Sequence, residues 1–234
     1  MSMKKLSSFY VPSKGPDDWR QFLADPVKQW KTGYSAKELA YSWEMSKGFP
    51  AEIQAVLNTQ SVFQNLEILF AVPEYQVSLP GGSRPSQNDL FVMARNDDEL
   101  VVIMIEGKAY ESFGPTLGEW RANGSEGKLR RLAYLQEVLQ LDGVLADEVR
   151  YQLLHRTASP LIVAEQFHAT SAIMLVHSFS EENEWFNDYS AFLDLYGVQA
   201  QMGVLQEAFR GSNVKLYCGW AKGVSKVMSI EGEK

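Results

Sequence analysis

Residues 86–109 read SQNDLFVMARNDDELVVIMIEGKA. Two apolar runs, Leu90 to Ala94 and Leu100 to Ala109, flank the polar turn Asn96-Asp97-Asp98, and so short a connection predicts a β-hairpin. Leu100 to Ile105 is apolar without alternation, the pattern of a strand covered on both faces. The polar residues gather where the strands end. Ser86-Gln87-Asn88-Asp89 opens the first strand and Glu106-Gly107-Lys108 closes the second. Strand side chains alternate, so Glu106 and Lys108 share a face while Gly107 points away. Asp89 and Glu106 are almost equally far from the turn, which brings them beside one another.

Two carboxylates meeting at a sheet end repel unless a cation lies between them. Oxygen ligands select Mg²⁺ or Mn²⁺. Lys108 next to such a pair would orient a water or offset developing negative charge. The plainer reading is a solvated Glu-x-Lys ion pair of little worth. If the carboxylates repel, Glu106→Gln should leave the metal-free protein as stable as before, or more so.

Outward from the hairpin, Leu66 to Val72 and Tyr75 to Leu79 read as two strands, followed by the loop Pro80 to Pro85. Before them, Asp18 is expected to cap a short helix bearing Trp19, Phe22 and Leu23. Ser35-Ala36-Lys37-Glu38 has the capping-box form for a helix over 38–47, and Pro50 suits the first turn of a helix over 51–57. After the hairpin, helices are expected over 127–141, over 149–167 with a bend or break at Pro160, and over 184–195. Ala172 to His177 and Lys215 to Trp220 read as strands. Helix, strand meander, helix and strand in that order predict one α/β domain with a mixed β-sheet flanked by helices.

Composition narrows the function classes. Of 234 residues, 45% are hydrophobic and 22% charged, which excludes disorder and collagen-like or coiled-coil rods. A net charge of -7 argues against a broadly basic coat on nucleic acid, though not against an acidic metal site acting on it. The single cysteine, Cys218, permits no internal disulfide, removes cysteine-rich zinc modules and fits a reducing compartment. No apolar run approaches the roughly 18 residues of a membrane span, and no signal peptide is read at the start, so a cytoplasmic protein is expected. Asn123-Gly124-Ser125 reads as a turn.

An Asp opening one strand, Glu-x-Lys closing the next, a helix before and a helix and strand after resemble the PD-(D/E)XK nuclease superfamily, and in particular an uncharacterised bacterial family of such proteins. The resemblance is carried by Ser86 to Asp89, Ile105 to Gly114 and Arg150 to Ser159. It implies a restriction-endonuclease-like core over 50–180, with 1–49 a helical N-terminal extension and 181–234 a C-terminal helix and strand addition. It also implies that Asp89, Glu106 and the Gly107 carbonyl bind Mg²⁺ or Mn²⁺, and that Lys108 acts on the nucleophilic water. Asn88 stands where the motif's proline would be. Gln152 matches a Gln of the following helix, but Arg156 stands where some members carry an aromatic four residues on. Glu52, with Glu44 second, is the candidate for a Glu on the first core helix.

The activity so implied is hydrolysis of phosphodiester bonds in nucleic acid, DNA first, with no membrane partner and a homodimer left open. Arg121, Lys128, Arg130 and Arg131 form a strip for the nucleic-acid backbone, or a charged helix surface. His155 and Arg156 read either as phosphate contacts or as a solvated helix face, while His177 and Cys218 read as core packing. The alternative from another class is a catalytically inactive binding or regulatory module on the same fold.

Overall fold

The computed structural model describes residues 11, 13–211 and 213–227. The hairpin forms at the register its turn dictates. Strand β2 (Ser86–Arg95) pairs antiparallel with β3 (Leu100–Lys108), from Leu90 opposite Ile105 to Arg95 opposite Leu100. Asn96 closes the turn, its Oδ1 accepting from the backbone N–H groups of Asp98 (3.1 Å) and Glu99 (2.8 Å), as a short amide side chain does in tight turns.

Ahead of the hairpin lie a 3₁₀ segment (Pro16–Phe22) and helices α1 (Pro26–Gln29), α2 (Ser35–Glu44) and α3 (Ala51–Leu57), then β1 (Glu67–Val77). After it come α4 (Leu117–Arg121), α5 (Glu126–Leu139), α6 (Tyr151–Phe167), β4 (Ser171–Ser178), α7 (Phe186–Leu193), β5 (Gln206–Arg210) and β6 (Lys215–Lys222). The six strands of the described residues make one mixed sheet in the order β1-β2-β3-β4-β6-β5. β1, β2 and β3 are antiparallel neighbours, β3-β4 and β4-β6 are parallel, and β5-β6 is antiparallel. The unbroken apolar run of β3 is explained by its central place, buried from Val101 to Lys108.

Helices cover both faces. On one, Leu135 and Leu139 of α5, Leu153, Leu154 and Ala158 of α6 and Phe192 of α7 pack over Phe91, Met93, Val102 and Met104. On the other, Leu39 and Trp43 of α2 and Ile53 and Val56 of α3 pack over Leu90, Val92, Ile103, Ile105 and Leu175. Each such side chain contributes about 1.5–3 kcal/mol by leaving water. No helix among the described residues is long and apolar enough to cross a membrane.

Four local expectations are corrected. The two strands expected around residue 73 are one, β1, because Pro73 lies on an edge strand, where its missing N–H costs no interior ladder bond. No capping box forms at Ser35. Instead the Ser35 N–H and hydroxyl donate to Glu111 Oε1 (2.9 and 3.0 Å), a carboxylate brought to the helix start by the chain after β3. The reciprocal box occurs at Thr116 and Glu119 on α4. Helix α6 runs unbroken through Pro160, and the five-residue strand β5 has too short an alternation to read in advance.

Candidate functional site

The antiparallel register of β2 and β3 ends at Leu90–Ile105, so the next residues outward are Asp89 and Glu106. Alternation puts Glu106 and Lys108 on the face of Met104, the face that α6 covers, and Asp89 lies beside them at the strand end, against the Gly107 N–H and within reach of Arg156. Helix α6 presents Gln152 and Arg156 there, one turn apart.

The carboxylate of Glu106 is the hub. Its Oε1 accepts from Lys108 Nζ at 2.5 Å and from Gln152 Nε2 at 2.8 Å. Its Oε2 accepts from Arg156 Nε at 2.5 Å. Arg156 also reaches Asp89, with 3.9 Å between Nη2 and Oδ1, and donates from Nη1 to Ser86 Oγ at 3.3 Å. Asp89 Oδ2 accepts the backbone N–H of Gly107 at 2.8 Å. Lys108 Nζ lies 4.8 Å from the ring centre of Phe113, whose face favours a cation. Glu106 and Lys108 are buried, whereas Asp89 keeps 23% of its side chain exposed and is the carboxylate a ligand can meet first.

Three acids face two cations here, and their proton affinities diverge. Burial would raise the pKa of Glu106, but the charges of Arg156 and Lys108 and their hydrogen bonds hold it at about 2. Burial and the neighbouring charge of Glu106 push Asp89 up to about 7. Glu74 of β1, which accepts from Gln87 Nε2 at 2.5 Å, is raised by burial and by Asp89 to about 8. Such opposite shifts cluster at functional sites.

The shifts give a pH dependence with a definite sign. Asp89 and Glu74 hold protons more tightly folded than unfolded, so their contribution is full below the ordinary carboxylate range and is lost as pH rises through about 7 and 8. Glu106 acts oppositely, contributing above its ordinary value of 4.5 and losing that as pH falls towards about 2. Metal-free stability is therefore expected to peak at roughly pH 5 and decline towards pH 9. Urea midpoints at pH 5, 7 and 9 check this, and the decline should flatten in Asp89→Asn.

A cleft of about 370 Å³ opens over the network, walled in part by Gln87, Phe113, Tyr151, Gln152, His155 and Arg156. His155 is not on a solvated face. Its Nδ1 is 2.8 Å from Ser86 Oγ, and burial with the adjacent Arg156 pushes its pKa well below the ordinary value. Arg156 is likewise turned inward, so the helix-surface reading fails for both.

Other expected residues lie elsewhere. Glu52 is on α3, across the sheet from Glu106, within 3.0 Å of His177 Nε2. Trp43 Nε1 can only donate, so His177 Nδ1 accepts at 3.3 Å and Nε2 carries the proton towards Glu52. Glu44 accepts from Trp19 Nε1 at 2.8 Å and anchors the 3₁₀ segment. The missing side chain of Gly107 leaves room for Ser35 and Leu39 of α2. The basic strip is largely consumed within the fold. Arg121 pairs with Asp147, Lys128 Nζ donates to the Trp120 carbonyl at 2.5 Å, and Arg131 Nε donates to the Pro80 carbonyl at 2.8 Å, while Arg130 is exposed.

A family model, described as a domain of unknown function, matches residues 12–225. The chain belongs to the DUF6946 family. No curated protein and no solved structure matches the chain. Among the described residues no three His, Cys, Asp or Glu side chains are grouped to cage a metal ion. Mg²⁺ does not need such a cage, since it keeps several waters and commonly takes one or two carboxylates together with substrate phosphates. The donors at this sheet end suit it, being hard oxygens, with Asp89 accessible and Gln152 Oε1 buried without a hydrogen-bond partner. An ion reaching Glu106 would share Oε2 with Arg156, because Oε1 already accepts from two donors.

Proposed function

We propose that the chain is a Mg²⁺- or Mn²⁺-dependent nuclease with a PD-(D/E)XK-like core, hydrolysing phosphodiester bonds in DNA or another nucleic acid. The observation that carries this reading is the convergence of Asp89, Glu106, Lys108 and Gln152 from two strands and the following helix, beneath an open cleft. The order α3-β1-β2-β3-α4-α5-α6-β4, with β4 parallel to β3, supports it as the core, the segments before residue 50 and after 180 being additions.

Asp89 and Glu106 would hold the ion, aided by the Gly107 carbonyl. A bound divalent ion supplies charge for the phosphate and acidifies a water. Lys108, kept in place by Glu106 and Phe113, would orient the attacking water and offset charge developing on the phosphate. Gln152 would steady Glu106. Glu52 takes no part in this scheme, because it serves His177 on the other face.

A second reading, a binding module without catalysis, is favoured by one observation: Arg156 and Lys108 neutralise Glu106 with no metal needed. Incubation with supercoiled DNA, single-stranded DNA and RNA, each with Mg²⁺, Mn²⁺ or chelator, separates the two. Metal-dependent cleavage that Asp89→Ala abolishes is the expected result. Binding of nucleic acid without cleavage under every condition would favour the module, and neither binding nor cleavage would overturn both.

A further inference from the structure

Arg156 occupies the charge position that a divalent ion would take. Its Nε donates to Glu106 Oε2 at 2.5 Å and its Nη2 lies 3.9 Å from Asp89 Oδ1, so one guanidinium spans both carboxylates. The other oxygen of Glu106 already accepts from Lys108 and Gln152. Two donors fill its lone pairs, which leaves Oε2 as the oxygen through which an ion must enter. A guanidinium and a divalent ion sharing that oxygen, shielded from water, repel strongly.

The side chain has a place to go. Arg156 also lines the cleft, beside Gln87, Gln152 and His155. A guanidinium is a planar fork of donors that matches a phosphate group, and it stays charged wherever it moves. Helix α6 therefore carries one cation between a carboxylate below and an open cleft above.

We infer that Arg156 is the resident counter-ion of the metal-free site and couples metal to substrate, leaving Glu106 when a divalent ion binds and engaging a phosphate of the nucleic acid in the cleft. This rests on the nuclease reading and adds the regulation of that site. A phosphate that draws the guanidinium into the cleft favours the ion, and by linkage the ion favours the phosphate to the same degree. The site then holds metal more weakly until nucleic acid arrives.

The test is Mn²⁺ binding by the whole chain, followed through the electron-spin-resonance signal of unbound Mn²⁺, with and without a short DNA duplex carrying cleavage-resistant phosphorothioate linkages. The duplex alone is titrated to subtract the ions it binds itself. In the wild type the duplex is expected to tighten Mn²⁺ binding about tenfold or more, a coupling of ordinary size for linked sites. Arg156→Gln removes the charge but can still donate to Glu106. It is expected to bind Mn²⁺ about tenfold more tightly than wild type without duplex and to lose the duplex effect. Mn²⁺ affinity in the wild type that ignores the duplex overturns the inference while leaving a metal-binding nuclease standing, whether or not the variant folds. Equal affinities of wild type and variant without duplex overturn it as well. Failure of the wild type to bind Mn²⁺ with or without the duplex removes both the inference and the nuclease reading.

Discussion

Glu106→Gln is expected to cost the metal-free protein about 3–5 kcal/mol of stability, the scale of removing one partner from a buried ion pair. For a chain of this length that corresponds to a fall in Tm on the order of 10 °C. The cause is the company Glu106 keeps. Its carboxylate is hydrogen-bonded to Lys108, Gln152 and Arg156, and its low pKa records how strongly the two cations hold its charge. A neutral amide would leave an ammionium-bearing Lys108 and the Arg156 guanidinium buried with too little compensating charge. Repulsion between Asp89 and Glu106, read from the strand spacing alone, predicts the reverse sign. Calorimetric or denaturant unfolding in chelator distinguishes the two, and unchanged or increased stability would show that the network contributes nothing to folding. The double variant Glu106→Gln/Lys108→Met should recover part of the loss, because it removes one of the stranded cations.

Lys108→Met is expected to lower cleavage by about 10²-fold or more, the usual effect of deleting one preorganised charged donor, with substrate binding largely retained. Met keeps the apolar stem against Phe113 but cannot orient water or offset charge on phosphate. Its stability cost should be smaller than that of Glu106→Gln, since Glu106 keeps its bonds to Arg156 and Gln152. Single-turnover cleavage of several unrelated duplexes measures the effect. Equal rates for wild type and variant would remove Lys108 from the mechanism. Similar rates across the duplexes are also expected, because no segment of the chain reads as a major-groove recognition element, and cutting at one unique site would overturn that expectation.

The hairpin and the common face of Glu106 and Lys108 follow from local rules. A two-residue side-chain period and the distance of each residue from one turn are enough to bring Asp89 beside Glu106. The same rules identify β3 as a strand buried on both faces, and with it the mixed α/β class. Helical periodicity likewise locates α3, α5 and α6 to within a few residues.

Which helical residue lands over that sheet end is a different kind of question. Arg156 meets Glu106 across 50 residues of chain, and a helix buried on most sides carries no pattern that says which of its turns will face a charge. Its sequence position reads equally well as solvated surface. The same limit applies to Glu52, which shares the chain order expected of a site residue but is carried by α3 to the opposite face. Arg121, Lys128 and Arg131 look like a surface strip until the loop at Pro80, the end of α4 and Asp147 close upon them. Periodicity determines which residues share a face because it acts between near neighbours, whereas the partner of each charge is decided by packing between distant segments. The chain alone therefore determines where the carboxylates gather, and only the tertiary structure supplies the arginine that neutralises them.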